Sequence, residues 1–346
     1  MSTKTIKDLA ATTCYAVGTV SRALNNHPNV SEKARRAILQ AARESGFELN
    51  QNAKQLKQLH STTILVIVKG TGNELFGEML ETIQTQLAST RYQLSVDYID
   101  EVNNEVLRAV QLCREKKPLG VMFLGGTIQN FTADFDKIDV PSVVVTNDAS
   151  MLHFDNLSSI STDDREAGRQ AVQTLIDLGH REIAIIGGDR EVSDTSRLRF
   201  EGGLQAFADN GIPFDSAWDC KNVRFSYQAG YKATLDLLAQ GVKFTAVFAV
   251  ADVVAIGVIR ALRENNLRVP EDVSVIGMDG LPLGNYLVPQ LSTIRQSAQQ
   301  MAVRGVKILL EVIEEGSLAC HETVPFGVLR RESTCAILKE GGMRHA

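Results

Sequence analysis

The sequence predicts an α/β protein in two parts: a small three-helix head with a helix-turn-helix and a hinge helix, then two doubly wound α/β lobes. Three observations predict it. Apolar residues recur at helical spacing over the first sixty positions, strand-like and helix-like patterns alternate after residue 62, and the two parts carry charge of opposite sign. Residues 1–60 hold nine Lys or Arg against four Asp or Glu, a balance of +5, whereas the whole chain carries −5 and the remainder therefore −10. A basic head of this kind has the electrostatic footprint that phosphate neutralisation needs.

In the head, Ile6, Leu9 and Ala10 form one apolar stripe, and Val20, Ala23 and Leu24 repeat the spacing after a turn. Two short helices share one small core. Val17, Gly18, Ser21 and Arg22 then fall on the outer face of the second helix near its start, the end that meets base edges in helix-turn-helix proteins. Arg22 can donate a bidentate pair to guanine, and Thr19 and Ser21 suit phosphate or base oxygens. A third helix is expected from Ser31 to Ser45, with Ser31 as N-cap, Ala34, Ile38, Leu39 and Ala42 inward and Gly46 at its end.

The segment from Asn50 to His60 is made of helix formers but is too short to hold a helix alone in water. Ala53, Leu56 and Leu59 give it one apolar edge, and Lys54 and Lys57 can reach phosphates. An apolar wedge flanked by lysines suits a minor-groove kinking element. The plain alternative is a polar linker.

The remainder alternates. Ile64–Val68 is a continuous apolar run, as a strand covered by helices on both faces requires. Helix is expected at 76–88, 105–116, 165–178, 199–210, 227–240, 253–264 and 299–315, and strand at 94–99, 120–124, 142–146, 182–187, 246–250 and 273–278. Two consecutive sets of this size imply two lobes, and ligands in such sheets bind beyond the carboxyl ends of the strands. Phe76, Asp252 and Asp279 follow strands one by one and so project into the cleft. The segment 193–199, placed as a loop before its helix, adds the hydroxyls of Ser193 and Thr195 and two guanidinium groups, one of them facing the cleft. Carboxylates beside aromatics suit a polyhydroxylated or heterocyclic small molecule. Helix capping is the plain alternative for Asp252 and Asp279, and core packing for Phe76 and Phe225.

Other chemistries find little support. Lys69-Gly70-Thr71-Gly72 lacks the Gly-Lys-Ser/Thr ending of a phosphate loop, and Gly187-Gly188-Asp189 reads as a loop allowing lobe closure or close ligand approach. Five scattered cysteines and six unpaired histidines offer neither a disulfide framework nor a metal set, and no nucleophile motif is present. No catalytic residue, metal or cofactor is expected. The N-terminus has no apolar signal core and no stretch nears the ~18 apolar residues of a membrane helix, so a cytoplasmic protein is expected.

Thr5-Ile6-Lys7-Asp8-Leu9-Ala10, Thr19-Val20-Ser21-Arg22-Ala23-Leu24-Asn25, Val30-Ser31 and Ala53-Lys54-Gln55-Leu56 resemble the head of the LacI/GalR family of bacterial transcription regulators. The resemblance continues through the body, and implies two lobes of the periplasmic-binding-protein-like (type I) fold. It further implies that Val17, Gly18 and Arg22 read bases and that Leu56 wedges into the operator's central step. Thr5, Thr19, Ser21, Asn25 and Lys54 complete the implied DNA contacts. In the body it implies that the 193–199 segment, Arg199, Phe225 and Asp279 contact an effector. The implied organisation is a head over 1–49, a hinge over 50–61 and a core over 62–340. Lobe one takes about 62–162 and 293–322, and lobe two about 163–292 and 323–340. The implied function is a repressor that binds a pseudo-palindromic operator as a homodimer, under control of a sugar or sugar derivative. A nucleobase or nucleoside effector is the alternative, and a transport-type binding protein a more distant one. No leucine heptads follow Arg331, so a dimer is expected. The chain departs from the family pattern at three places. Cys14-Tyr15-Ala16 replaces Gly-Val-Ser, weakening the helix start by roughly 1 kcal/mol; Leu49 replaces a common proline and Lys54 a common arginine.

Overall fold

The computed structural model describes residues 6–13, 15–24, 30–45, 62–70, 72–220 and 223–337. The expected hinge over 50–61 lies outside these, as do Thr5, Cys14, Asn25, Leu49, Lys54 and Leu56. The chain divides into two compact units, Met1–Ser61 and Thr62–Ala346.

The first unit holds helices α1 (Ile6–Thr13), α2 (Val17–Leu24) and α3 (Glu32–Ser45). Leu9, Ala10, Val20, Ala23, Val30, Ala34, Ile38 and Ala42 form its core, following the 3.6-residue period of the sequence. Ser31 caps α3, its hydroxyl accepting from the Ala34 amide at 3.3 Å. At α2 the Ala16 carbonyl accepts from the Thr19 and Val20 amides at 2.8 and 3.0 Å. The methyl side chain of Ala16 cannot add the oxygen that a serine would.

The second unit contains two six-stranded sheets. The first comprises β1 (Thr63–Lys69), β2 (Gln93–Ile99), β3 (Gly120–Leu124), β4 (Ser142–Val145), β5 (Leu157–Thr162) and β11 (His321–Val324), in the order β11-β5-β4-β3-β1-β2. The second comprises β6 (Ile183–Ile186), β7 (Asp219–Cys220), β8 (Ala246–Ala249), β9 (Ser274–Asp279), β10 (Ser292–Arg295) and β12 (Gly327–Leu329), in the order β12-β10-β9-β8-β6-β7. Every pairing is parallel except β10 with β12. The five leading strands of each sheet share one order, 2-1-3-4-5, so β1 answers to β6 and β4 to β9. Each sheet thus has a switch point beside its first strand, where ligands bind.

Helices α4 (Glu74–Ala88), α5 (Glu105–Lys116), α6 (Ile128–Asp134) and α11 (Ala298–Glu315) belong with the first sheet. With the second go α7 (Asp164–Asp177), α8 (Asp194–Asp209), α9 (Tyr227–Ala239) and α10 (Asp252–Glu264). Helices α7 and α8 touch backbone to backbone: a Cβ on Gly202 would lie 1.8 Å from the Arg165 carbonyl oxygen, and one on Gly168 2.1 Å from that of Arg199. Only glycine permits this approach.

Strand β10 pairs with β9, so the expected lobe boundary at 293 is corrected: the chain leaves lobe two after Arg295, at 296–297, and α11 packs on lobe one. Likewise β11 extends the first sheet through Val324, so the return to lobe two comes after it and not at 323. Lobe membership follows strand partners, which residue pattern does not encode. Strand β5 was not anticipated, because Ser158, Ser159 and Ser161 break the apolar run. All three are buried, and two are bonded through their hydroxyls: the Cys320 amide donates to Ser158 Oγ and the Ala149 amide to Ser159 Oγ, each at 3.1 Å.

At the base of lobe two, buried His180 joins the C-terminal segment to the sheet. Its Nε2 lies 3.1 Å from the Cys335 carbonyl, which can only accept, so Nε2 carries the proton and Nδ1 accepts from Thr245 at 3.0 Å. Burial lowers the pKa of His180, the Cys335 hydrogen bond opposing and Arg181 adding to the fall. A depressed histidine contributes stability above its ordinary value near 6.5 that is lost as pH falls below it. Urea unfolding at about pH 7.5 and about pH 5 is expected to show a larger acid loss in the native chain than in His180→Asn.

Candidate functional site

In the head, Val17, Gly18 and Arg22 lie exposed on α2, and Thr19 and Ser21 are half-buried. Arg22 Nε donates to the Gly18 carbonyl of its own helix at 3.1 Å, which draws the guanidinium toward the helix N-terminus. One surface therefore presents a cation close to a helix N-terminus, where the helix dipole also favours an anion.

In the second unit a cavity of about 480 Å³ opens between the lobes at the carboxyl ends of the strands. Helix starts converge on it: the N-caps Asn73 of α4, Ser193 of α8 and Ser226 of α9 all line the wall. Ser193 Oγ accepts from the Ser196 amide at 3.3 Å, and so α8 begins at Asp194. The expected loop over 193–199 is corrected by this cap: it forms the first turns of the helix.

Phe76, Ser193, Thr195, Arg199, Phe225 and Asp279 all line the cavity. The Phe76 ring would lie 2.9 Å from a Cβ on Gly125, and the Phe225 ring 3.1 Å from one on Gly188. Gly125 also has a left-handed φ of 79°, and at Gly188 the Ser196 hydroxyl, 2.3 Å from such a Cβ, stands closer still than the ring. Arg199, 4% exposed, donates from Nε to Asp164 and from Nη1 to the Val250 carbonyl, each at 2.7 Å. Asp279 Oδ1 stands 3.7 Å from Nη1 and accepts from Gln296 at 2.7 Å. Its other oxygen, Oδ2, is buried with no partner. Burial raises the Asp279 pKa to about 7, with Arg199 pulling down and Asp252 pushing further up.

Two non-glycine residues on this wall have left-handed backbones, Thr146 at φ 85° and Asp279 at φ 125°. They follow or end β4 and β9, the equivalent strands of the two lobes. Such conformations cost about 1–3 kcal/mol each and gather at binding sites.

Asp252 does not line the cavity, and its expected effector contact is corrected. It is fully buried and accepts from the Gly280 and Leu281 amides at 2.8 and 2.7 Å and from the Thr293 hydroxyl at 2.7 Å. Its position after a strand turned it into the sheet's own loop.

Cavity residues not anticipated include Lys69, Asn147, Arg224 and Gln296. Lys69 ends β1, Asn147 follows β4 and Gln296 follows β10, so the strand-end rule already applied to Phe76 would have found all three. Lys69 is buried against fully buried Glu105, with Nζ 2.6 Å from Oε2. Removing one member of such a pair typically costs ~3–5 kcal/mol. Arg224 Nη2 reaches both oxygens of Asp100 at 2.7 Å and its Nε reaches Glu101, bridging the lobes at the rim. Among the described residues no cluster suits a metal ion and no helix is long and apolar enough to cross a membrane.

Residues 5–50 match the family described as bacterial regulatory proteins, lacI family, and residues 172–334 match the periplasmic binding protein-like domain. The HTH-type transcriptional regulator MalR of Clostridium butyricum is 32% identical over 335 residues, 95% of this chain and 98% of that protein. The chain belongs to the LacI family. The probable HTH-type transcriptional repressor ExuR of Bacillus subtilis is 33% identical over 90% of this chain and 92% of its own. Among solved structures, the lac repressor dimer bound to operator and the anti-inducer ONPF matches with a TM-score of 0.77 and 25% identity. That match covers 97% of this chain and 100% of the repressor. This LacI-family chain is thus a transcriptional regulator, with a helix-turn-helix head and a two-lobed effector-binding core.

The Asp252 clamp makes one prediction. Asp252→Ala strips two buried amides and a hydroxyl of their acceptor and is expected to cost roughly 3 kcal/mol in urea unfolding, against a smaller loss for Asp252→Asn.

Proposed function

We propose that this regulator is a cytoplasmic homodimeric repressor that reads a pseudo-palindromic operator through α2. Its affinity is set by an uncharged sugar or sugar derivative in the inter-lobe cavity. The head, the hinge over 50–61 and the two-lobed core are its working parts. One observation carries the effector class: Asp279 lines a hydroxyl- and amide-rich cavity, and its buried Oδ2 has no hydrogen-bond donor. A ligand hydroxyl supplies that donor, and Phe76 and Phe225 supply apolar faces for a sugar ring. The same two rings favour a second reading, a nucleoside whose base stacks on one of them.

Thermal-shift screening against cellobiose, maltose, ribose, glucuronate, adenosine and hypoxanthine separates these readings. A rise in Tm with a neutral sugar supports the proposal; a rise with adenosine or hypoxanthine alone moves it to the nucleoside class, and a flat response to every sugar overturns it. Gel shift against short palindromic fragments is expected to show binding that weakens steeply with salt. Arg22→Ala is expected to lose about 1–3 kcal/mol of discrimination at one position per half-site. Equal affinity for random DNA would sink the operator reading.

Effector affinity is also expected to depend on pH. A ligand hydroxyl donating to Asp279 favours the carboxylate over the acid, so its pKa falls on binding and affinity rises as pH climbs through about 7. Calorimetric titration on either side of that value measures it, and an Asp279→Asn variant is expected to lose the dependence.

A further inference from the structure

Among the described residues, Lys69 is the one basic residue at a strand end of lobe one that lines the cavity, and its bonds run in a fixed direction. Its ammonium donates to Glu105 Oε2 at 2.6 Å and to Thr127 Oγ1 at 2.7 Å. The Thr127 hydroxyl, having accepted from Lys69, donates across the cleft to the Val192 carbonyl at 2.6 Å. Next to it the Ile128 amide donates to Asp194 Oδ2 at 2.7 Å, also across the cleft. Glu105 holds the assembly from below, accepting from the Thr127 amide at 2.6 Å and from Asn130 at 3.0 Å. Val192 and Asp194 flank Ser193, the cap of the helix that carries Thr195 and Arg199 into the cavity.

We infer that Lys69, Glu105 and Thr127 form a buried tie between the lobes, with Lys69 as an effector-sensing residue whose third N–H meets a ligand oxygen. Glu105 cancels the ammonium charge, so the group acts on the ligand as a donor without a net charge to satisfy. That selects a hydroxyl or ether oxygen over a phosphate. Across the cavity, Asp279 Oδ2 is an acceptor without a donor. A ligand hydroxyl both accepts and donates, so a polyol can take a bond from Lys69 on one lobe and give one to Asp279 on the other. Filling the cavity then tightens the tie, because a ligand oxygen on Nζ fixes the ammonium that orients the Thr127 hydroxyl. Lys69 is a positioning residue for the lobe contact and a binding residue for the ligand. The ligand half of this inference rests on the sugar reading above; the tie does not.

Hydrogen exchange on the full chain without ligand tests the tie. Thr127→Val removes the hydroxyl, and Lys69→Met combined with Glu105→Gln removes both buried charges while keeping volume, which guards against simple unfolding. Both are expected to speed exchange of the Ile128 amide at least tenfold while the amides of β9 keep their native rates. Thr127→Ser, which keeps the hydroxyl, is expected to match the native chain. Unchanged Ile128 exchange in both altered chains overturns the inference whatever ligands bind. For the ligand half, calorimetry with whichever of cellobiose, maltose or ribose raises Tm most is expected to show at least tenfold weaker binding in the Lys69→Met, Glu105→Gln chain. Native affinity there overturns the role of Lys69. Silence from all three sugars counts against the sugar reading, and the exchange experiment still decides the tie.

Discussion

A guanidinium group buried in lobe two is the constraint on which the cavity depends. Arg199 carries its charge to a point where water cannot reach it, and such a charge persists only with partners already in place. Asp164, the Val250 carbonyl and Asp279 provide them from three different elements. Burial opposes the charged form of Arg199, and Asp164 and Asp279 more than compensate, so its pKa is raised. Holding those groups together requires helices α7 and α8 to approach more closely than side chains allow, which Gly168 and Gly202 permit. The glycines are therefore as much a part of the cavity as the residues that line it.

The twofold plan of the core gives this arrangement a counterpart in lobe one. Lys69 with Glu105 there, and Arg199 with Asp164 and Asp279 opposite, are buried clusters of opposite charge, each with a strand-end member, Lys69 or Asp279, on the cavity wall. The left-handed residues Thr146 and Asp279 stand at equivalent strands. Parallel sheets point strand ends and helix starts the same way, so two such sheets facing one another concentrate amides, caps and strained backbone in a single cleft.

The lobes are joined by two kinds of contact that respond differently to solvent. At the rim, Arg224 meets Asp100 and Glu101 in the open, where salt screens the attraction. Inside, Thr127 meets Val192 and Ile128 meets Asp194 in a part-buried setting where screening is weaker. A regulator of this family converts occupancy of the cleft into a coupling free energy, typically ~1–3 kcal/mol, and the short, directional inner bonds are better suited to transmit it than the rim pair.

Much of this protein was legible in the sequence wherever the physics is local. Helical spacing outlined the head, a basic balance set it apart from an acidic body, and apolar runs located most strands, so that their ends pointed to Phe76 and Asp279. The start of α8 was misplaced by five residues because a cap at Ser193 outweighed the later apolar pattern. Strand β5 was missed because its serines break the apolar run, and Ser158 finds its partner in the Cys320 amide, 162 positions away. The partners of Lys69 stand 36 and 58 positions away, and those of Asp252 lie 28, 29 and 41 positions away. Residue order alone determined the two-part architecture and the chemistry available at the strand ends, since periodicity and charge act between neighbours. Tertiary structure alone decided which of those charges face the cavity and which clamp the fold, because burial and pairing are set by groups that meet only after the chain has closed on itself.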